Sequence, residues 1–380
     1  MSISRFYLPT RFIIGQGSFA QAGKESSRLG KTALLVTGSK SMRKTGVLDK
    51  IIALLNAEGV KAIIFDKAEP NPRASTIDAG AKIARENGVD HVIGLGGGSA
   101  MDTAKCIALA SCGSDSIFNY FKGTATNRSK ALPIMLIPTV AASGSEANNG
   151  AVFTNWETHE KVPLMHPLLY PACSIVDPAL TLTLPIKPTA QGGVDIFCHI
   201  VENYVTAANS TLINDAIRES SMKTVVLALP AVLNKLDDIN EREKLTWAST
   251  IACSQFAGLG GGTGVMTLHG IEHPLSGEYD VAHGDGLATL LIEWMKNVYP
   301  DRKKRFELLG KNVFGEPDGI SATEKWLKLV GMDHRLSHLG AKEADFDKLA
   351  DNAIRSASWI KHHPSPLDIA AIVSIYKKSY

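Results

Sequence analysis

The sequence is poor in the features that mark several protein classes. Its five cysteines, Cys106, Cys112, Cys173, Cys198 and Cys253, are odd in number, scattered and without a CxxC pair. That excludes a disulfide scaffold and points to free thiols in a reducing compartment. No run approaches the roughly 18 consecutive apolar residues of a membrane span, and the opening MSISRFYLPTRF lacks the apolar core of a signal peptide. The expectation is a cytoplasmic protein with no membrane partner. Neither sign of charge is in excess, since 40 Lys+Arg against 38 Asp+Glu leave +2 without a dense basic run; a nucleic-acid partner is not indicated. Internal repeats and low-complexity tracts are missing as well.

What is there is a chain of 380 residues, 44% hydrophobic and 21% charged, a globular composition longer than one hydrophobic core usually supports. In its first half, apolar β-rich runs at Thr32–Thr37, Lys61–Asp66 and His91–Leu95 alternate with helical patterns at Gly46–Glu58, Ser75–Asn87 and Ala100–Ala110. Pro133–Ile137 and Cys173–Val176 read as further strands. Such alternation predicts a parallel, Rossmann-like sheet, with Gly59 and Gly88 placed as helix C-caps. From about Lys187 strand signals fade and long helical stretches follow: Ala190–Thr206, Asp215–Leu233, Glu241–Phe256, Met266–Leu275 and Gly286–Asn297. Pro178, Pro185 and Pro188 suit a linker. The predicted organisation is an α/β nucleotide-binding domain over residues 1–183 and an all-α metal-binding domain over 184–380.

Gly96-Gly97-Gly98-Ser99 follows the strand DHVIGL and opens a helix containing Asp102. Glycines let backbone N–H groups approach an anion, and the helix N-terminus adds favourable potential. The competing reading is a tight βα turn with Ser99 as an ordinary N-cap. A second loop, Pro138–Glu146, includes Thr139 and Ser143 and follows the next strand, so two loops at strand C-termini make a nucleotide crevice. Gly97, Gly98, Ser99, Asp102, Thr139 and Ser143 are the candidate contacts of these loops. At the end of the first strand stands Gly38-Ser39-Lys40-Ser41-Met42-Arg43, with no acid to accept ribose hydroxyls. That favours NADP(H) over NAD(H), Lys40 and Arg43 being either phosphate partners or solvated surface charges.

In the second half, Asp195 and His199 lie four apart, on one helical face. His269 and His273 repeat the spacing, and His283 follows in AHGDG. An i,i+4 carboxylate–histidine pair joined by histidines from another segment can assemble a divalent metal site, and the glycines after His269 and His283 permit close approach. One carboxylate oxygen with imidazole nitrogens suits Fe²⁺ or Zn²⁺. The other histidines lack such partners and read as structural. Cys198 reads as a small buried thiol.

Together EPNP (Glu69–Pro72), GGGSAMDTAK (Gly96–Lys105), PTVAASGSEAN (Pro138–Asn148), VDIFCHIVENYVT (Val194–Thr206) and HGIEHPLSGEYDVAHGDGLA (His269–Ala288) resemble the iron-containing (group III) alcohol dehydrogenases, in particular the butanol dehydrogenase and aldehyde reductase branch. The resemblance implies Asp195, His199, His269 and His283 as metal ligands and His273 as an unligated histidine between metal and nicotinamide. It implies cofactor contacts at Gly38, Ser39, Asn71, Gly97, Gly98, Ser99, Thr139 and Lys161. Many relatives that use NAD carry an acid where this chain has Gly38. It implies a homodimer too, with Phe6–Ile14 pairing between copies.

The expected function is hydride transfer between a nicotinamide cofactor and a small alcohol or aldehyde whose oxygen the metal polarises, at the interface of the two domains. His273, with an ordinary pKa near about 6.5, would relay a proton. Apolar side chains such as Phe153, Phe256, Leu259, Met266 and Trp359 are candidates for the substrate pocket. Two other classes compete. A lyase resembling dehydroquinate synthase would need several cations near the metal, and none lies within several residues of the four ligands in sequence. A non-catalytic nucleotide-binding protein would have no need of the Asp/His set.

Overall fold

The computed structural model describes residues 5–126 and 129–380. The chain divides into two units: Tyr7–Thr158 with Val162–Leu184, and Pro185–Tyr380 with His159–Lys161 and the described residues up to Phe6.

The first unit carries strands β1 (Arg11–Ile14), β2 (Thr32–Gly38), β3 (Lys61–Ala68), β4 (His91–Gly96), β5 (Ile134–Pro138), β6 (Gly150–Asn155), β7 (Glu160–Met165, whose first two residues are counted with the other unit) and β8 (Cys173–Val176). Its helices are α1 (Ala22–Ser27), α2 (Ser41–Lys44), α3 (Val47–Ala57), α4 (Ala74–Glu86), α5 (Gly98–Ala110) and α6 (Ile117–Lys122). Six strands form a sheet in the order β1-β8-β5-β4-β2-β3, every pairing parallel, and β6 and β7 form a separate two-stranded sheet. Both faces of that sheet are covered, which is why β2 is a continuous apolar run rather than an alternating one. Leu34 and Val36 join Ile77, Ala81, Met101 and Ile107 of α4 and α5 on one face. Ala33 and Leu35 join Leu48, Ile51 and Leu55 of α3 on the other. A Cβ at Gly94 would lie 2.7 Å from a Leu136 methyl and 2.9 Å from Ala104, so the missing side chain lets α5 sit down on β4. Gly59 and Gly88 follow α3 and α4 at φ 69° and 58°, the C-cap conformation expected of them.

Two strand pairings add to the sequence expectation. Arg11–Ile14 pairs within its own chain, in register with Cys173–Val176 of β8, so only the outer edge of β1 is left for a second copy. The β6–β7 ladder was not anticipated at all.

The second unit is helical: α7 (Ile186–Thr206), α8 (Leu212–Asn234), α9 (Ile239–Ala252), α10 (Thr267–Tyr279), α11 (His283–Leu308), α12 (Gly319–Leu329), α13 (Phe346–Ser356) and α14 (Ile369–Ser379). The helix expected to reach Phe256 stops at Ala252, because Ser254 accepts the Phe256 N–H at 3.2 Å and starts a separate turn. Among the described residues no helix is long and apolar enough to cross a membrane.

One buried histidine gives the first unit a measurable acid sensitivity. His91 opens β4, fully buried, with Nε2 2.6 Å from Ser26 Oγ. Burial lowers its pKa to about 4. As pH falls below the ordinary 6.5 the unfolded chain takes up the proton first, so the contribution is complete above 6.5 and is lost down to pH 4, about 3 kcal/mol in all. The stability advantage of wild type over His91→Gln, measured by denaturant midpoints, should shrink by about that amount between pH 7 and pH 4. An advantage independent of pH would contradict the assignment.

Candidate active site

The first unit gathers the two glycine- and hydroxyl-bearing loops at one edge of its sheet. β2 leads to β3 on one side and β4 leads to β5 on the other, so the strand order reverses between β2 and β4. In open parallel sheets, ligands bind outside the carboxyl ends of the strands at such a reversal. Gly38 ends β2 and Gly96 ends β4 there. The N-cap of α5 is Gly97, with no side-chain cap, and Ser99 lies inside the helix; the N-cap role considered for Ser99 is therefore wrong. The amides of Ala100 and Met101 donate to Gly97 O, so a helix N-terminus without a side-chain cap opens at Gly98 and Ser99.

The second loop closes against the first. Thr139 donates its N–H to Gly96 O at 2.9 Å, and a Cβ at Gly98 would lie 2.7 Å from Ser143 Oγ. Asp102 has both oxygens engaged, accepting Ser145 Oγ of this loop at 2.6 Å and the Val152 N–H of β6 at 2.8 Å. It holds the loop rather than offering a free carboxylate to a cofactor. Lys105 does similar work, unnoticed in the sequence: fully buried, its Nζ reaches Asn148 O at 2.9 Å and Gly150 O at 2.7 Å. Asn71 follows β3, buried, in the left-handed region at φ 49°. Ser39 follows Gly38 at the surface. Of the two cations beyond it, Arg43 is held by Asp66 through contacts of 2.7 and 3.2 Å, whereas Lys40 is exposed.

The second unit assembles the Asp/His set. Asp195 and His199 project from the middle of α7, His269 and His273 from α10, and His283 begins α11. α11 can start there because a Cβ at Gly284 would lie 2.6 Å from the Gln191 carbonyl of α7, and one at Gly286 would lie 2.6 Å from Glu272 Oε1. The glycine after His269 faces Ile360 instead. The room made by these glycines is thus filled by protein, not reserved for a ligand.

Asp195 Oδ1 lies 3.4 Å from His199 Nε2, 3.7 Å from His269 Nε2 and 3.8 Å from His283 Nε2. At these separations the four atoms are not hydrogen-bonded to one another. Oδ1 of Asp195 and Nε2 of His199 and His269 are buried without any hydrogen-bond partner, a costly arrangement unless something else is bound. Asp195, His199 and His269 each offer one ligand atom within 4.8 Å of the others, close enough to share one Zn²⁺ or similar ion, and His283 Nε2 stands 3.8 Å from the same Asp195 oxygen. The residues present therefore fit a divalent transition metal.

The electrostatics agree with that donor set. Burial pushes His199 down to about 3, leaving a neutral imidazole. Burial alone would raise the Asp195 carboxyl, but the imidazoles of His199, His269 and His283 outweigh it and hold it low. For His269, burial opposes charge, yet the carboxylates of Glu202 and Asp195 lift it to about 9. Metal uptake at neutral pH would thus release a proton from His269. His273 differs from its expectation: burial, with the Lys161 ammonium next, drives its pKa well below the ordinary value. An imidazole tuned to the neutral range, as relay chemistry was expected to need, is not what the fold provides.

Lys161 stands apart from the other candidate cofactor contacts. It is buried, 3.6 Å from Glu272 Oε2 and 3.4 Å from His283 Nδ1. The turn that carries it is held by His159 Nδ1 on Gly277 O at 3.0 Å and by the Asn352 amide donating to His159 O at 3.2 Å. Sequence spacing gave no sign of a cation here; its charge is matched by Glu272, which leaves no surplus of the kind an anionic lyase substrate would need. Glu202 and Glu272, both fully buried beside the histidines, were missed, although each lies three residues beyond a candidate ligand. Phe153 belongs to the core of the first unit and not to a substrate pocket. The Trp359 indole N–H is spent on the Met266 carbonyl at 2.9 Å.

Comparison with known proteins is consistent along the whole chain. The family model for iron-containing alcohol dehydrogenase matches residues 9–178, and that for the C-terminal part of the Fe-containing alcohol dehydrogenase family matches 189–380. NADH-dependent butanol dehydrogenase B of Clostridium acetobutylicum is 33% identical over 98% of each chain. The crystal structure of NADH-dependent butanol dehydrogenase A from Thermotoga maritima superposes with a TM-score of 0.94 at 33% identity, covering 99% of this chain and 98% of that one. An archaeal alcohol dehydrogenase from a Red Sea brine pool gives a TM-score of 0.93 at 29% identity over the whole of both chains.

Proposed function

Because the chain belongs to the iron-containing alcohol dehydrogenase family, we propose that it interconverts a small primary alcohol and its aldehyde at a site formed by Asp195, His199, His269 and His283, with NADP(H) favoured over NAD(H). The observation that carries this reading is the convergence of three buried, partnerless donor atoms of Asp195, His199 and His269, with His283 Nε2 3.8 Å from the Asp195 oxygen. When bound, a divalent Fe²⁺ or Zn²⁺ supplies a Lewis acid for the substrate oxygen and the dinucleotide supplies or accepts the hydride. Everything else is the work of the protein.

The amides at the start of α5, with Thr139 and Ser143 opposite, would receive the cofactor's phosphates, and Gly38, Ser39 and Asn71 would border its adenosine end. Asp102 and Lys105 keep the two loops in register. Burial of Asp195, His199, His269 and His273 excludes water from the reacting oxygen and strengthens the field around it. His273 keeps Nδ1 buried and without a partner, so a proton would pass through that atom. With its pKa depressed, the imidazole is a weak acceptor, and its contribution belongs at the low end of general acid–base catalysis. His273→Ala should lower kcat about 100-fold with a smaller change in KM; a kcat within threefold of wild type would reduce His273 to packing.

The two butanol dehydrogenases named above are NADH-dependent, whereas Gly38 here offers no carboxylate to the ribose, and exposed Lys40 stands two residues on. These features support NADP(H). A homodimer and a cytoplasmic location complete the proposal; light scattering returning a monomer would reject the first, and recovery of the protein outside the cytoplasmic fraction the second.

The test is oxidation of NADPH and of NADH with butanal after chelation and after adding back Fe²⁺ or Zn²⁺. The reading expects turnover that depends on metal and aldehyde and is faster with NADPH. Full metal occupancy and dinucleotide binding with no turnover on a broad aldehyde panel would refute it.

A further inference from the structure

Four donors account for the proposed metal site, yet two fully buried glutamates beside it have no part in that account. Burying a carboxylate is costly unless its oxygens are satisfied, and here each oxygen has a definite partner. Glu202 Oε2 accepts the N–H of Leu268 at 2.6 Å and of His269 at 3.3 Å, while its Oε1 contacts His269 Nδ1. Glu272 Oε2 contacts His283 Nδ1 at 2.5 Å, and its Oε1 accepts the Ser276 hydroxyl. Lys161 Nζ lies 3.6 Å from Glu272 Oε2 and 3.4 Å from His283 Nδ1. One ring nitrogen does not both donate to a carboxylate and accept from an ammonium. The shorter contact, to a charged acceptor, makes Nδ1 the donor, and Lys161 pairs with Glu272 alone.

The consequence lies on the other side of each ring. With Nδ1–H committed to a glutamate, Nε2 is the nitrogen left on the Asp195 side, 3.7 Å from Oδ1 for His269 and 3.8 Å for His283, and a bound ion would take the place of any proton on it. His199 shows the contrast, since its buried Nδ1 has no partner. Charge closes as well: Asp195 and Glu202 offset the two charges of a divalent ion, and Lys161 offsets Glu272. Glu272, His273 and His283 also lie within ligating distance of one another. An ammonium already beside that carboxylate disfavours a second cation there.

We propose that Glu272, with Glu202 as its counterpart on His269, is a positioning residue that fixes which nitrogen of His283 carries the proton and so sets the affinity and geometry of the bound ion, with Lys161 as its counter-ion. This rests on the metal-site reading above. Carboxylates that orient metal-bound imidazoles are typically worth 10–100-fold in metal affinity.

The probe is Co²⁺, loaded into chelated wild-type protein, Glu272→Gln and Glu272→Leu, with affinity read by chelator competition and geometry by the visible absorption of the bound ion. Gln keeps an acceptor for His283 and loses the charge; Leu loses both. We expect Co²⁺ affinity to fall about tenfold in Glu272→Gln and about 100-fold in Glu272→Leu, with a changed visible spectrum in the latter. If Glu272→Leu does not fold by circular dichroism, the near-isosteric Gln variant decides alone. Variants that match wild type in affinity and spectrum overturn the positioning role and leave the metal site standing. Wild type that takes up no Co²⁺ overturns both.

Discussion

His269→Ala is expected to lower kcat for aldehyde reduction by at least about 1000-fold and to leave the purified protein without stoichiometric metal. The substitution removes one of the three imidazole nitrogens around Asp195 Oδ1, and it strands the buried Glu202, whose Oε1 loses its partner. Both effects weaken the ion's hold. Loss of the Lewis acid then withdraws charge stabilisation worth about 4 kcal/mol or more in the transition state. Dinucleotide binding is the internal control, because the loops around Gly97, Gly98 and Thr139 belong to the other unit. Metal content by elemental analysis, kcat with butanal and dinucleotide affinity by fluorescence are the three readouts. A variant that keeps full metal and a kcat within tenfold of wild type would remove His269 from the site.

Gly38→Asp is expected to change the NADPH/NADH preference, as a ratio of kcat/KM values, by about 100-fold toward NADH. The position tolerates a side chain: φ there is not positive, and a Cβ would have only the Ala68 carbonyl at 3.7 Å, ordinary van der Waals contact. The backbone therefore does not require glycine, and a carboxylate can be placed there without strain. A carboxylate at this strand end accepts the ribose hydroxyls of NAD and repels a 2′-phosphate. Two such charges a few ångströms apart in a half-wet site cost about 3 kcal/mol, which is the stated ratio. Arg43 is not expected to compensate, since Asp66 holds it. An unchanged ratio would show that Gly38 does not face the adenosine ribose.

Much of this arrangement was legible in the sequence, for physical reasons that also explain the rest. TALLVT and DHVIGL could be read as strands because sheets covered on both faces need unbroken apolar runs, and Gly59 and Gly88 could be read as caps because left-handed backbone selects glycine. Asp195 and His199 could be paired because helix geometry places i and i+4 together. What escaped depends on contacts between distant segments. Lys161 reaches His283 only because the turn at His159 packs on Gly277, 118 residues away. Glu202 lies on the ligand-bearing helix but serves a histidine of another helix, 67 residues on. Asp66 takes Arg43 from 23 residues away. β1 is only four residues, RFII, and its pairing with β8 spans most of the first unit. The tuning of His273 was misjudged for the same reason: burial decides it, and burial is a property of the assembled helices.

The most direct test of the central claim is anomalous diffraction from crystals of the chelated protein soaked in Zn²⁺, with data at the zinc edge. The account predicts a single strong peak bonded to Asp195 Oδ1 and to Nε2 of His199, His269 and His283 at about 2.0–2.3 Å. A peak seated among Glu272, His273 and His283 instead, or no peak at full Zn²⁺ exposure, would contradict it.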